Sequence, residues 1–258
     1  MKSVLNFKVI LAIAAFFSFL IILTAGVWLA FIYPTNIIQG DGNLNTQNRE
    51  LGDFKRIIVS DAIKVNLNQT RENRAIIKAE SNIIPRVLTS IRGETLFIEL
   101  ETLNPFSLKL VEPKEDIIVD LSFKDISSIV LNDSASLISS NRLRISSLDL
   151  NLSGTSQLQL DVFTTQLKVI LNNSSALNIR GSANIQNVEI SGSAIYNAQD
   201  LESNEAVVTL TGSGDAVLRV SDSISASVNG TGNIGYYGIP DRVTQQARGG
   251  GKIAQLGE

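Results

Sequence analysis

LDLNLSGTSQLQL (residues 148–160) decides how this chain folds, because the sequence says nearly the same thing five more times. The other copies are SSIVLNDSASLIS (127–139), LKVILNNSSALNI (167–179), NVEISGSAIYNA (187–198), VVTLTGSGDAVLRV (207–220) and ISASVNGTGNIGYYG (224–238). Each is a few alternating apolar residues, a pentad of small and polar residues, then more alternation. The pentads open at Asn132, Ser153, Asn172, Ser191, Thr211 and Asn229, so the spacings are 21, 19, 19, 20 and 18 residues. A period near twenty with internal period-2 alternation marks a coiled β-solenoid. In one copy Leu148, Leu150, Leu152, Leu158, Leu160 and Val162 fall on one side of the strands and Asp149, Asn151, Gln159 and Asp161 on the other. One coil cannot bury such a stripe, whereas coils stacked about 4.8 Å apart can. Gly and Asn at the pentads permit the positive φ of a tight corner, and stacked Asn or Ser can form ladders along the axis. The expected fold is all-β: a right-handed parallel β-helix-like solenoid of about six coils.

Working outward, residues 54–121 also read as strands. FKRIIVSDAIKVNLNQ (54–69) gives strand, turn, strand, and AIIKA (75–79), LFIEL (96–100) and IIVDL (117–121) give three more. Pro85 confines residues 83–88 to an edge or a connection. The open ends of a stack need covers, so residues 53–121 are expected to close one end and residues 236–258 the other.

At the N-terminus, residues 9–32 are 24 uncharged positions, long enough as a helix to cross a hydrocarbon core of about 30 Å. Lys2 and Lys8 precede them and no basic residue follows before Arg49, which places the N-terminus in the cytoplasm. The run is long for a signal peptide and lacks an A-x-A site, which favours an uncleaved signal-anchor over a cleaved leader. Either way the remainder is exported, to the periplasm or the exterior. Lys2 and Lys8 carry +2 of a total of −3, so residues 34–258 carry −5. The expected organisation is a stub and transmembrane helix (1–33), a tether (34–49), a β-rich cap (50–126) and the solenoid with its C-terminal cap (127–258).

The opening LGDFKRIIVSDAIKVNLNQT (51–70), the LFIEL and IIVDL strands, the corners SGTS (153–156), SGSA (191–194), TGSG (211–214) and NGTG (229–232), and the ending GYYGIPDRV (235–243) and ARGGGKI (247–253) together resemble the bacterial "putative auto-transporter adhesin, head GIN domain" family. The corners NDSAS (132–136) and NNSSA (172–176) depart from the pattern by lacking its glycines. The resemblance implies an exported β-helical protein, with adhesion as its associated role.

The chemistry available is narrow. There is no Cys and no His, which removes disulfides, thiolate metal sites and the commonest general base. Lys and Arg are scattered, which argues against nucleic acid. Candidate polar groups in the repeats are Asp133, Asp149, Asp161 and Asp215, with Arg142, Arg144, Arg180 and Arg219. Asp149 and Asp161 lie on opposite sides of one corner and should not meet across a glycosidic bond. Tyr196, Tyr236 and Tyr237 could stack on sugar rings but suit a core or cap. Asn-x-Ser/Thr matches at Asn68, Asn132, Asn151, Asn172, Asn173 and Asn229 read as corner chemistry. TGSGD (211–215) and ARGGGK (247–252) open no helix and so form no phosphate loop. No catalytic residue, metal site or cofactor is assigned. The expectation is a non-catalytic binding, adhesion or scaffold module for extended glycans or envelope proteins, held to the membrane through residues 9–32. A polysaccharide lyase or hydrolase and an envelope sensor are the alternatives.

Overall fold

The computed structural model describes residues 16–20, 37–101 and 111–258. The chain divides into two compact units, Met1–Ile38 with Thr102–Leu110, and Gln39–Glu101 with Val111–Glu258. In the first, residues 16–20 are helical. The rest of the expected anchor, residues 9–32, lies outside the described residues. Among the described residues no helix is long and apolar enough to cross a membrane.

The second unit is a parallel β-solenoid. Each coil lays one strand in a first column and, after a sharp corner, one strand in a second column. Rung 1 is Arg56–Val59 with Ile63–Gln69, and rung 2 is Ser128–Leu131 with Ser136–Ser139, ending in the short strand Leu143–Arg144. Rung 3 opens with Ser147–Leu152. The long strands Gln157–Asn173, Ala176–Gly192 and Ile195–Gly212 each carry the second half of one rung into the first half of the next. Asp215–Arg219 completes rung 6, Ser223–Gly230 and Asn233–Tyr237 make rung 7, and Arg242–Gly249 and Lys252–Gly257 make rung 8. Like positions stack in parallel register, as in Leu150↔Val169, Val169↔Val188 and Val188↔Val208. From Ser128 onward the coils number seven, against an expected six. The extra one is rung 8, whose strand Arg242–Gly249 is exposed throughout and carries Gln245 at an inward position, so its alternation is muted.

The aliphatic interior is the one the alternation demands. Leu148, Leu150, Leu152, Leu158, Leu160 and Val162 are all buried, as are Leu167, Val169, Leu171, Leu177 and Ile179 one coil later. Tyr196 lies fully inside. Its hydroxyl donates to Gln186 Oε1 at 2.7 Å, Gln186 Nε2 donates to Ser203 Oγ at 2.6 Å, and Ser203 Oγ donates to the Arg219 carbonyl at 2.6 Å. A buried hydroxyl needs such a partner, and burial pushes the Tyr196 pKa up.

One backbone device turns every rung. The second residue of each corner has positive φ: Asp61 (66°), Asp133 (57°), Gly154 (75°), Asn173 (60°), Gly192 (91°), Gly212 (123°), Gly230 (144°) and Gly249 (93°). The two corners that lack the family's glycines therefore turn in the same way, because Asp and Asn tolerate the left-handed region that most residues avoid. The expected ladder is present as well: Asn132 Nδ2 donates to Ser60 Oγ at 3.3 Å and Ser153 Oγ donates to Asn132 Oδ1 at 3.1 Å.

Stack order and chain order differ at the start. Rung 1 lies between rung 2 and a level built from later strands, for Arg56–Val59 pairs in parallel with both Ser128–Leu131 and the strand at Thr95, and Ile63–Gln69 pairs with both Ser136–Ser139 and Ile117–Phe123. The coils thus begin at Arg56 rather than residue 127. Beyond that level the strands turn antiparallel: Arg74–Glu80 pairs with Ile117–Phe123 on one side and with Leu44–Glu50 on the other, and Val87–Arg92 folds back onto Thr95–Leu100. Leu44–Glu50, which covers the last six residues of the expected tether (34–49) and the first of the expected cap, is a strand. LNTQNRE lacks alternation because it is an outer strand with both faces largely wet.

Glu80 fixes this end. Its side chain is fully buried and accepts backbone N–H groups from Gly42 (2.7 Å, on Oε1) and from Lys114 and Glu115 (2.9 and 3.4 Å, on Oε2). Burial raises the carboxyl pKa, but the three N–H donors outweigh it and leave the pKa below its ordinary 4.5. The stabilisation is therefore complete above pH 4.5 and fades only as pH falls through the lower folded value. The Glu80→Gln variant keeps one acceptor oxygen and turns an NH2 toward the other donors. Amide hydrogen exchange at Gly42 and Lys114 should accelerate in that variant at pH 7. Unchanged exchange at both would mean that the carboxylate does not hold these loops.

Candidate functional site

Outward side chains in the second column form rows along the axis, one residue per rung, spaced about 4.8 Å apart. Gln159, Asn178 and Asn197 make one row, in register from rung 3 to rung 5, with Asn197 Nδ2 donating to Asn178 Oδ1 at 3.1 Å. Beside it runs a charged row, Asp161, Arg180 and Asp200, in register on the same three rungs. Between Asn178 and Arg180 the pairing slips, because rung 5 fits an additional residue between Asn197 and Asp200. Such a bulge bends its strand and re-aims nearby side chains. A concavity of about 240 Å³ lies here, lined by Gln159, Asn178, Arg180, Asn197 and Asp200.

The charges are ordered by one carboxylate. Arg142 Nε donates to Asp161 Oδ1 at 2.6 Å and Arg180 Nε to Asp161 Oδ2 at 3.2 Å. Asp161 is held below the ordinary carboxylate range, first by the Arg142 hydrogen bond, against the opposing effect of burial. A general acid for glycoside cleavage needs the opposite shift. Across the ladder, Arg144 stacks over the ring of Phe163, its register partner, at 5.7 Å, and Phe163 remains 53% exposed.

The other candidates are dispersed. Asp149 faces outward from the first column near Arg56 and Lys168, around a separate concavity of about 320 Å³. Asp133 turns a corner, and its Oδ2 accepts the Asp61 N–H at 3.2 Å. Asp215 Oδ1 accepts from the backbone and side chain of Asn233 at 3.2 and 3.0 Å. Arg219 donates to the carbonyls of Gln199 and Glu258 and lies 5.2 Å over Tyr237, while Tyr236 is buried. Among the described residues no three acidic, His or Cys side chains converge as a metal site would require. The structure brings Asp161, Arg142 and Arg180 together and keeps Asp133, Asp149 and Asp215 apart from them.

Reading the sequence for charge missed Gln159, Asn178, Asn197, Asp200 and Phe163. The amides carried a usable signal, since each stands six residues after the start of its pentad (Ser153, Asn172, Ser191). Asp200 carried none, because the bulge displaces it from that offset.

Stacked parallel coils, stabilised corners and outward polar rows with a concavity over rungs 3 to 5 define the class: a parallel β-solenoid with a solvent-facing polar surface. Residues 53–240 match the model of the family described as "putative auto-transporter adhesin, head GIN domain", and the chain belongs to that family. Among solved structures, a putative adhesin from Bacteroides fragilis superposes with a TM-score of 0.77 at 20% identity, covering 85% of this chain and 100% of its own. A putative lipid binding protein from Parabacteroides distasonis gives 0.72 at 18% identity, covering 85% and 99%. A putative adhesin from Parabacteroides merdae gives 0.69 at 22% identity, covering 85% and 98%. At these identities the likeness is one of fold. No curated protein matches the chain.

Proposed function

We propose that the chain is a non-catalytic binding module of the bacterial cell envelope, anchored through residues 9–32 with its right-handed solenoid facing the periplasm or exterior, and that the second-column groove holds an extended glycan along the solenoid axis. The observation that carries this reading is the amide row. Gln159, Asn178 and Asn197 recur at the rung interval and keep donors and acceptors free, beside the carboxylate of Asp200, which has no cationic partner among the described residues. Mixed donors and acceptors in a shallow trough suit a polymer whose every unit bears hydroxyls, and a pyranose unit is close to one rung in length. The adhesin description of the family and of two of the compared structures agrees with a binding role.

The test is a binding screen of the full-length chain in detergent micelles against neutral and acidic polysaccharides, with bound polymer assayed for new reducing or unsaturated ends. Retention without scission is expected. The double variant Asn178→Ala, Asn197→Ala should weaken it by about tenfold, the worth of one to two hydrogen bonds. Scission of the polymer, or no retention of any polysaccharide, would overturn the proposal.

A further inference from the structure

Resting on that glycan reading, we infer that the polymer is acidic: a pyranose chain bearing carboxylates, gripped over rungs 2 to 4 by Arg142, Arg144 and Arg180 around the ring of Phe163. Charge is the first ground. Residues 34–258 carry −5, yet over rungs 2 to 4 the three arginines stand with one carboxylate, Asp161, which binds Arg142 and Arg180. That is a local +2, which Asp200 on rung 5, in register beside Arg180, reduces to +1. Arg144 has no carboxylate partner among the described residues, and its guanidinium lies on the Phe163 ring. Arg142 and Arg180 spend only their Nε donors on Asp161, so their terminal nitrogens remain available. A planar guanidinium fork with free terminal N–H groups matches a carboxylate in two-point contact.

Geometry is the second ground. Asp161 and Phe163 are two residues apart on one strand and project to the same side. The aromatic face is therefore set beside the arginine pair that Asp161 orients. An exposed ring flanked by cations suits a sugar ring whose substituent is anionic, since the ring packs on the aromatic and the carboxylate turns to the guanidinium. On rung 5 the surface becomes acidic, with Asp200 and Glu202, so the acidic unit is held over rungs 2 to 4 and the neutral amide row receives the adjoining sugar units.

Three probes test this on the full-length chain in micelles: polygalacturonate, the same polymer methyl-esterified, and poly(glycerol phosphate). Esterification changes the ligand and leaves the protein untouched, so no folding defect can mimic its effect. The free acid should bind about tenfold tighter than its ester, the worth of a charge-assisted hydrogen bond, with affinity falling as salt rises. Arg144→Gln should abolish most of that preference with an unchanged melting temperature, and Phe163→Ala should weaken both pectin forms. Equal binding of acid and ester, or retention of neutral polysaccharides alone, would overturn the acidic assignment and leave the glycan reading standing. Binding of poly(glycerol phosphate) as tight as polygalacturonate and indifferent to Phe163→Ala would overturn the pyranose assignment. If no polysaccharide is retained, both readings fall.

Discussion

Replacing Gly230 by Asn costs about 3–5 kcal/mol, while replacing Asn173 by Gly at the equivalent corner leaves stability within about 1 kcal/mol. Both residues sit at the second position of a corner, and a residue count alone makes them interchangeable. The backbone separates them. Asn173 has φ 60°, inside the left-handed well that Asn visits at small cost, whereas Gly230 has φ 144°, where a side chain is strained. A Cβ on Gly230 would also stand 2.1 Å from the Gly212 carbonyl oxygen of the rung beneath, a backbone atom that cannot swing aside. Strain and overlap add there, and relief requires parting two rungs. Urea unfolding of both variants, followed by circular dichroism, measures the contrast. Equal midpoints for the two would refute the corner argument, because they would mean that the close stacking is relieved at no cost.

The same distinction explains how much the sequence discloses. The interior was legible from Leu148 to Val162 because each of those residues alternates with a polar neighbour, and strand geometry converts alternation directly into inside and outside. The NDSAS and NNSSA corners were harder, since their lack of glycine hides a φ that Asp133 and Asn173 in fact supply. Rung 1 was legible as strand, turn, strand, but its place in the stack was not. Ile57 meets Ile129 across 72 positions, and the intervening strands contribute the level on its other side. No local pattern encodes that order. Leu44–Glu50 and Arg242–Gly249 escaped for a shared reason: at the ends of a stack a strand need not alternate, because less of it is buried. In the groove the amides repeat at a fixed offset and could be read, whereas Arg142 and Arg180 meet on Asp161 only once three rungs are superposed.

Rung 8 illustrates how such an end is managed, and its removal should be the most damaging truncation. Deleting the chain from Gly238 takes away Arg242–Gly249 and Lys252–Gly257, the only strands among the described residues that pair with the outer edges of Ser223–Gly230 and Asn233–Tyr237. Ile224, Val228, Ile234 and Tyr236, each at most 5% exposed, would then meet water on one side. At about 1–1.5 kcal/mol for half-exposing each, the loss is on the order of 5 kcal/mol, against a typical stability of about 5–15 kcal/mol for a whole domain. Rung 8 covers them without renewing the problem. Its inward Gln245 donates to the Tyr236 hydroxyl at 3.2 Å and Gln255 donates to the Gly238 carbonyl at 2.7 Å, so polar groups stand where earlier rungs place aliphatics. Arg242, Arg248 and Lys252 add charge along an outer edge with no strand beyond it among the described residues, which discourages a second sheet from docking. The truncated chain is therefore expected to aggregate, with rung 7 presenting both an apolar face and unpaired backbone. Size-exclusion chromatography with light scattering, followed by urea unfolding of any monomer, decides the matter. A monomeric truncation that unfolds in one cooperative step at the original midpoint would show that the stack closes itself one coil earlier.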